Sequence, residues 1–101
     1  MQYAVIAWDG TDPEAQSRRR GVRPTHLDSI QPLVEGGNVL VGGAILDADG
    51  GMIGSVLIVD FDTREELDAW LAKDPYTTGG VWRSVDVRPF RAAVGSWMPE
   101  A

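Results

Sequence analysis

Apolar residues in this chain occur in short runs separated by amphipathic or turn-rich segments. The stretch QYAVIAW is apolar on both phases of a strand, which is typical of a strand covered on both faces. NVLVGGAIL and GSVLIVDF predict two further strands, and the Asp-Gly and Gly-Gly pairs of DADGGMI predict a hairpin loop between them. The last strand, VWRSVDVRPF, is expected at a sheet edge because one of its faces is mixed. That face carries Trp82, Ser84, Asp86 and Arg88.

The first helix is predicted over about residues 14 to 35. Asp12 as cap and Pro13 at the first position mark its start. A proline inside a helix removes a hydrogen bond and costs about 3 kcal/mol, so Pro24 and Pro32 favour a bend or two helical pieces. Its apolar stripe holds Val22, His26, Ile30 and Leu33.

The second helix begins at the sequence TREE, a capping box in which Thr63 bonds forward and Glu66 bonds back. It ends where Asp74 precedes Pro75, because a residue before proline disfavours the helical conformation. The apolar positions Leu67, Trp70 and Leu71 mark about three turns.

The order of elements predicts a ferredoxin-like α+β fold, βαββαβ, with a four-stranded antiparallel sheet. Right-handed crossovers place the first and third strands in the centre and both helices on one face. Two helices cover only one side of the sheet, yet both central strands are apolar on both sides. We therefore expect a homodimer that packs sheet against sheet as a dimeric α+β barrel, and a higher oligomer is left open.

Composition narrows the function classes. The chain has 101 residues, enough for one domain, and nine basic against 15 acidic residues give a net charge of −6, which disfavours nucleic acid as a partner. The run RRR is interpreted as a solvated helix face, although local positive charge can attract a small anion. No cysteine is present, and no stretch approaches the roughly 20 apolar residues of a membrane helix, so a cytoplasmic protein without a membrane partner is expected.

A set of segments carries a family resemblance. In chain order they are YAVIAWDG, RRRGVRPTHLDSI, GGAILDADGGMIGSVLIVDF, DPYTTGGVW and VDVRPFR. Together they resemble the YciI-like (YCII-related) proteins, small dimeric α+β domains of the ferredoxin-like type. The resemblance covers residues 1–91, and the tail, residues 92–101, is expected to pack at the dimer interface. The chain departs from the common pattern at Gly43-Ala44, where many relatives read Gly-Pro, and in that tail.

The resemblance implies a site built around a histidine and an aspartate in a pocket between helix and sheet. Carried over to this chain, these residues are His26 and Asp74, with Arg23, Ser55 and Tyr76 as polar groups of the pocket that bind substrate. A few relatives are lyases or dehydrochlorinase-like enzymes of aromatic breakdown. For most members the reaction is unknown.

Each of these residues also has a structural interpretation. His26 can exchange a proton near neutral pH, and a carboxylate on its other nitrogen would fix its tautomer, but a lone histidine on a helical stripe is often a hydrogen-bonded border residue. Asp74 can simply bond the turn that ends its helix. Tyr76 can be a rim residue, Arg23 can pair with a surface acid, and Ser55 is a poor candidate for a nucleophile.

Two functions follow. The first is a lyase or isomerase without a bound cofactor, acting on a small ring-shaped acid or phenol, with His26 as general base and Asp74 orienting it. The second is a non-catalytic dimeric module that binds a small metabolite. No metal is expected, because one histidine and scattered carboxylates show no ligand spacing.

Overall fold

A computed structural model describes residues 1–96 and has the predicted order of elements, with one additional short helix. The strands are β1 (Gln2–Asp9), β2 (Val39–Leu46), β3 (Met52–Asp60) and β4 (Trp82–Phe90). The helices are α1 (Ala15–Glu35), α2 (Arg64–Lys73) and the short α3 (Pro75–Thr78). All strand pairs are antiparallel, in the order β2-β3-β1-β4, so the ferredoxin-like α+β fold is confirmed.

The start of α1 differs from the prediction. The helix begins at Ala15, and its cap residue Glu14 forms no side-chain hydrogen bond. The carboxylate of Asp12 instead accepts hydrogen bonds from the guanidinium of Arg18, while the carbonyl oxygen of Asp12 accepts from the Ala15 amide. Asp12 as cap was therefore wrong, because its side chain is engaged by an arginine one and a half turns along.

The prolines do not divide α1. The helix is continuous over 21 residues with Pro24 and Pro32 inside it, so the division into two pieces was wrong. Both prolines lie on the exposed side, where water can satisfy the carbonyl groups that lose an amide partner. The opposite side packs on the sheet through buried His26 and Ile30, which holds the helix together despite the lost bonds.

The two faces of the sheet differ in cover. On β1, Tyr3, Val5 and Ala7 are buried beneath the helices, as the strand period requires. The alternate residues of β1 point to the other face, where Trp8 is 45% exposed. On β3, Val56 on that outer face is likewise exposed. A single copy of the chain therefore leaves the outer face, as predicted, without a covering layer.

The position of Trp82 corrects the predicted face pattern of β4. A register shift between Trp8 and Asp9 places Trp82 opposite Asp9 and Ser84 opposite Trp8. The irregularity turns Trp82 toward the helices, where it is buried, whereas Ser84 stays on the outer face. Strict alternation along the sequence could not show this bulge.

The core lies between the sheet and the helices. Thr63 caps the start of α2 as predicted, accepting a hydrogen bond of 3.2 Å from the Glu66 amide at Oγ1, but within residues 1–96 the Glu66 side chain does not return a bond to the Thr63 amide, so only the forward half of the predicted capping box forms. The buried apolar cluster includes Tyr3, Val5, Ala7, Ile30, Val39, Leu57, Val59, Phe61, Leu67, Leu71, Tyr76, Val81 and Trp82.

Within residues 1–96, no helix has both the length and the apolar character that crossing a membrane requires. The tail, residues 92–101, was predicted to pack at a dimer interface. Its residues 97–101 lie outside the described part of the chain.

Gly54 allows β1 and β3 to approach closely. A Cβ atom at this position would lie 2.6 Å from the carbonyl oxygen of Ala7 and 3.2 Å from side-chain atoms of both Ile45 and Trp8. The oxygen belongs to the paired backbone of β1 and cannot move without disturbing the sheet. A Cβ atom added at Gly21, on the exposed side of α1, would have no atom of another part of the described chain within 4 Å.

The two glycines should respond to alanine in opposite directions. Gly54→Ala should lower the free energy of unfolding by about 1–3 kcal/mol, because the added methyl group overpacks the strand pair. Gly21→Ala should raise it by about 0.5–1 kcal/mol, because alanine is the better helix former. Urea unfolding of both variants measures the two changes, and a Gly54→Ala variant as stable as the parent would contradict the close approach.

Candidate functional site

The predicted histidine and aspartate are in contact. His26 lies on the inner side of α1 and Asp74 at the junction of α2 and α3, and both are buried. The distance between His26 Nδ1 and Asp74 Oδ2 is 2.8 Å, a hydrogen bond between side chains 48 positions apart. The fold thus brings together two residues that the sequence could pair only through the family resemblance.

The position of Asp74 is fixed by the local sequence. Its backbone is extended, which ends α2 before Pro75, and its side chain caps α3 by accepting a 2.9 Å hydrogen bond from the Tyr76 amide. The structural interpretation of Asp74 as a residue that bonds its own turn therefore holds, and the same oxygen also bonds His26. Asp74 Oδ2 is therefore hydrogen-bonded both to its own turn and to His26.

Tyr76 is a buried stacking partner, so its interpretation as a rim residue was wrong. Its ring stacks on the His26 imidazole with a centroid distance of 3.8 Å and an angle of 9° between the planes. The guanidinium carbon of Arg19 lies 4.7 Å from the Tyr76 centroid. Burial raises the pKa of the Tyr76 phenol, and the nearby charges of Arg19 and Arg23 oppose this increase only in part. The phenol is therefore protonated at neutral pH.

Arg19 was missed by the sequence analysis, which placed the whole RRR run on a solvated face. The Arg19 side chain is only 4% exposed. Its Nη1 donates to both carboxylate oxygens of Asp9, at 2.9 and 3.0 Å, and its Nη2 donates to Ser55 Oγ at 2.8 Å. The spacing contained a signal, since Arg19 precedes His26 by seven residues and so lies on the same side of the helix two turns earlier.

Ser55 joins two parts of the site. Its Oγ atom accepts from Arg19 and also from Trp82 Nε1, the latter at 3.1 Å. The Trp82 ring also meets the edges of the His26 and Tyr76 rings, with centroid distances of 5.8 and 5.5 Å. The bulge in β4 that turns Trp82 inward therefore supports the wall behind His26.

A cavity of about 350 Å³ lies between α1 and the strands β2 and β3. Four of the five predicted site residues line it directly, namely Arg23, His26, Ser55 and Tyr76. Asp74 does not line it and reaches it only through His26. The remaining lining residues are Arg19, Leu27, Ile30, Gln31, Val34, Val39, Gly42, Gly43, Ala44 and Leu57. Gly43-Ala44, where the chain departs from the common family pattern, therefore forms part of the cavity wall.

The arrangement presents one nitrogen of His26 for chemistry. Nδ1 is occupied by Asp74, whereas Nε2 forms no hydrogen bond with any residue of the described part of the chain. A histidine held in this way can accept a proton at one nitrogen while a carboxylate supports the other. Within residues 1–96, no three histidine, aspartate or glutamate side chains come close enough together to hold a metal ion.

Comparison with known proteins gives the family. The model of the YCII-related domain matches residues 1–91. The chain belongs to the YCII-related family. Protein YciI of Escherichia coli O6:H1 is 35% identical over 97 residues, which are 90% of this chain and 97% of that protein.

Two solved structures are similar in fold to this YCII-related protein. The 5-chloro-2-hydroxyhydroquinone dehydrochlorinase of Burkholderia phenoliruptrix, in complex with 2,5-dihydroxybenzoquinone, is 26% identical with a TM-score of 0.80 and covers 90% of this chain and 94% of its own. A dimeric ferredoxin-like protein of unknown function from Jannaschia is 15% identical with a TM-score of 0.52, over 90% of this chain and 98% of its own. The latter similarity concerns the fold alone.

Adjacent arginines allow a direct test of the buried ion pair. Arg19→Met should lower the free energy of unfolding by about 3–5 kcal/mol, because it leaves the buried carboxylate of Asp9 without a partner. Arg18→Met, which removes the partly exposed pair with Asp12, should change stability little. Chemical unfolding of both variants measures the difference.

A double variant separates charge from packing. Adding Asp9→Asn to Arg19→Met removes the unpaired charge and should recover part of the lost stability, measured by the same unfolding experiment. Equal losses in Arg19→Met and Arg18→Met would show that the Asp9–Arg19 pair does not hold α1 on the sheet.

Proposed function

We propose that this protein is a lyase or isomerase that acts on a small ring-shaped acid or phenol without a bound cofactor. His26 is the general base and acid, and Asp74 orients it. The observation that carries the proposal is the 2.8 Å hydrogen bond from His26 to a buried carboxylate, at the wall of a cavity of about 350 Å³. Similarity to a dehydrochlorinase with a quinone-type ligand supports a ring-shaped substrate.

In this proposal, the contact with Asp74 determines which nitrogen of His26 reacts. With the Asp74 carboxylate as acceptor, Nδ1 of His26 carries the proton of their hydrogen bond. The lone pair is then on Nε2, the nitrogen without a protein partner in the described residues. The Tyr76 amide holds the same Oδ2 from its own side, and the Tyr76 ring stacks on the imidazole. The base is thus fixed in orientation before a substrate binds.

The reaction requires only proton transfer. In an elimination, Nε2 of His26 takes a proton from an acidic position of the ring compound, and the electrons of that bond form a new double bond. The leaving group departs with the electrons of its own bond, so the elements of an acid are lost and nothing is oxidised or reduced. In an isomerisation, His26 returns the proton to another atom. Neither course consumes an oxidant or a reductant.

The remaining cavity residues bind the substrate in this proposal. The ring lies against the apolar wall formed by residues such as Leu27, Ile30 and Leu57. Arg23 and Ser55 bind oxygen substituents, and the protonated phenol of Tyr76 supplies a further hydrogen-bond donor.

Substitution of His26 tests the proposal. His26→Gln should lower the rate of chloride release from 5-chloro-2-hydroxyhydroquinone by about 10²–10⁴-fold, because general acid–base catalysis is lost, while the melting temperature stays close to that of the parent. Asp74→Asn should also lower the rate, and Asp28→Asn, the same change at an exposed position of α1, should leave it unchanged. A chloride-release assay with purified variants measures these rates.

Two results would contradict the proposed enzymatic activity. One is full activity in His26→Gln. The other is a parent protein that binds the compound and returns it unchanged over hours, which would favour the second candidate, a module that binds a metabolite without converting it.

We further propose that the outer face of the sheet is covered by a second copy of the chain. Trp8 and Val56 are 45% and 40% exposed on this face, next to the half-buried Ile6 and Ile58. An exposed apolar patch in the middle of a sheet is typical of a protein interface. A second copy supplies a matching surface through a two-fold axis, and Asp86 on the edge strand β4 lies at its polar rim.

A lysine on each face of the sheet distinguishes this dimer from a monomer. Val56→Lys should dissociate the dimer at micromolar concentration, because it buries a charge in the interface. Val85→Lys places the same charge at a valine of similar exposure, 43%, on the face that bears the helices, and should leave the dimer intact. Sedimentation equilibrium measures the mass. A parent protein that sediments as a monomer would overturn the proposal.

A further inference from the structure

The charge of the cavity is opposite to that of the protein. The chain carries 15 acidic and nine basic residues, for a net charge of −6. Two arginines, Arg19 and Arg23, line the cavity, and no aspartate or glutamate does. The cavity therefore concentrates positive charge within an acidic molecule, which attracts anions and repels cations.

The two arginines are not equivalent. Arg19 is neutralised by Asp9, to which it donates two hydrogen bonds in a buried pair. Arg23 is exposed at the edge of the cavity and forms no ion pair with any residue from 1 to 96. Among the side chains that line the cavity, the uncompensated charge is therefore that of Arg23, one helical turn from His26, whereas the Asp74 carboxylate lies behind His26 and does not line the cavity.

The hydrogen-bond partners of Ser55 determine what its hydroxyl group can offer a ligand. A hydroxyl oxygen has two lone pairs and one proton. Both acceptor positions of Ser55 Oγ are filled, one by Arg19 Nη2 and one by Trp82 Nε1, and neither of these groups can accept a hydrogen bond. The hydroxyl proton has no acceptor within the described residues, and Ser55 lines the cavity. Ser55 can therefore offer a ligand only a donor.

We propose that the ligand of this cavity is a ring-shaped organic anion, such as a carboxylate or an ionised enol or phenol. One of its oxygens accepts a hydrogen bond from Ser55, and its negative charge lies beside Arg23. The inference rests on the proposed function only in taking the same cavity as the substrate site. It makes the ionised form of the acid or phenol the species that binds, and it makes Arg23 the residue that selects for charge.

A matched pair of probes tests the selection for charge. Benzoate and benzamide have the same ring and shape, but only benzoate carries a charge and accepts at both exocyclic atoms. Benzoate should bind the parent protein about tenfold tighter or more, as charge-assisted hydrogen bonds require. Isothermal titration calorimetry measures both affinities. Because His26 is the only histidine of the chain, its ring signals in NMR spectra should shift with benzoate and place the probe in this cavity.

Variants test which residues cause the preference for benzoate over benzamide. Arg23→Gln should remove the preference for benzoate, whereas Arg20→Gln, an equal loss of charge at an exposed position of α1 that does not line the cavity, should preserve it. Ser55→Ala should weaken benzoate binding, and Ser55→Thr, which retains the hydroxyl, should restore it. Melting temperatures identify any variant whose fold is disturbed.

The outcomes separate this inference from the proposed function. Equal affinities for the two probes, no binding of benzoate at millimolar concentration, or an unchanged preference in Arg23→Gln would overturn the anion site even if turnover depends on His26. His26→Gln should keep its preference for benzoate in calorimetry while losing turnover. If His26→Gln retains full turnover and benzoate is still selected, the anion site stands and the catalytic role fails.

Discussion

The buried ion pair between Asp9 and Arg19 is the interaction on which the site depends. Moving two charges out of water costs several kcal/mol for each ion, so such a pair persists only when hydrogen bonds satisfy its atoms. Here the guanidinium bonds both oxygens of Asp9 on β1 and the hydroxyl of Ser55 on β3, which fastens α1 to both central strands. Two turns further along the same side of the helix lies His26, so the pair sets where the imidazole meets Asp74.

Hydrophobic periodicity and turn residues predicted the order of elements, the central strands and the uncovered outer face. The same reasoning failed where long-range contacts override local preference. Arg19 looks like a surface residue until a carboxylate on another strand is brought against it, and Trp82 changes face because of a bulge that depends on pairing with β1. Pro24 suggested a break, but its exposed position lets water replace the lost bond. The contact between His26 and Asp74 was accessible only through the family resemblance, since 48 positions separate them.

The site carries an energetic cost that the rest of the described chain does not show. Within residues 1–96, two buried side-chain polar atoms have no hydrogen-bond partner, Arg19 Nε and Asp74 Oδ1. Each such atom costs about 1–3 kcal/mol, and most buried polar groups in proteins avoid it. Both atoms belong to residues that position His26 or its stacking partner Tyr76. A concentration of unsatisfied groups at one place is expected where a protein gives up stability to hold a functional arrangement.

The division of roles between Arg19 and Arg23 follows from burial. A buried guanidinium must be neutralised by the protein, so Arg19 cannot offer its full charge to a ligand, whereas the exposed Arg23 keeps its charge in contact with water until a ligand arrives. Arg23 and His26 are three residues apart on α1, so their Cβ atoms are about 5–6 Å apart. This spacing is comparable to the distance between two substituents at opposite positions of one six-membered ring. In the proposed site, a small ring-shaped ligand whose anionic oxygen lies beside Arg23 would therefore also reach Nε2 of His26, so that the charge and the reacting atom are carried on one ring.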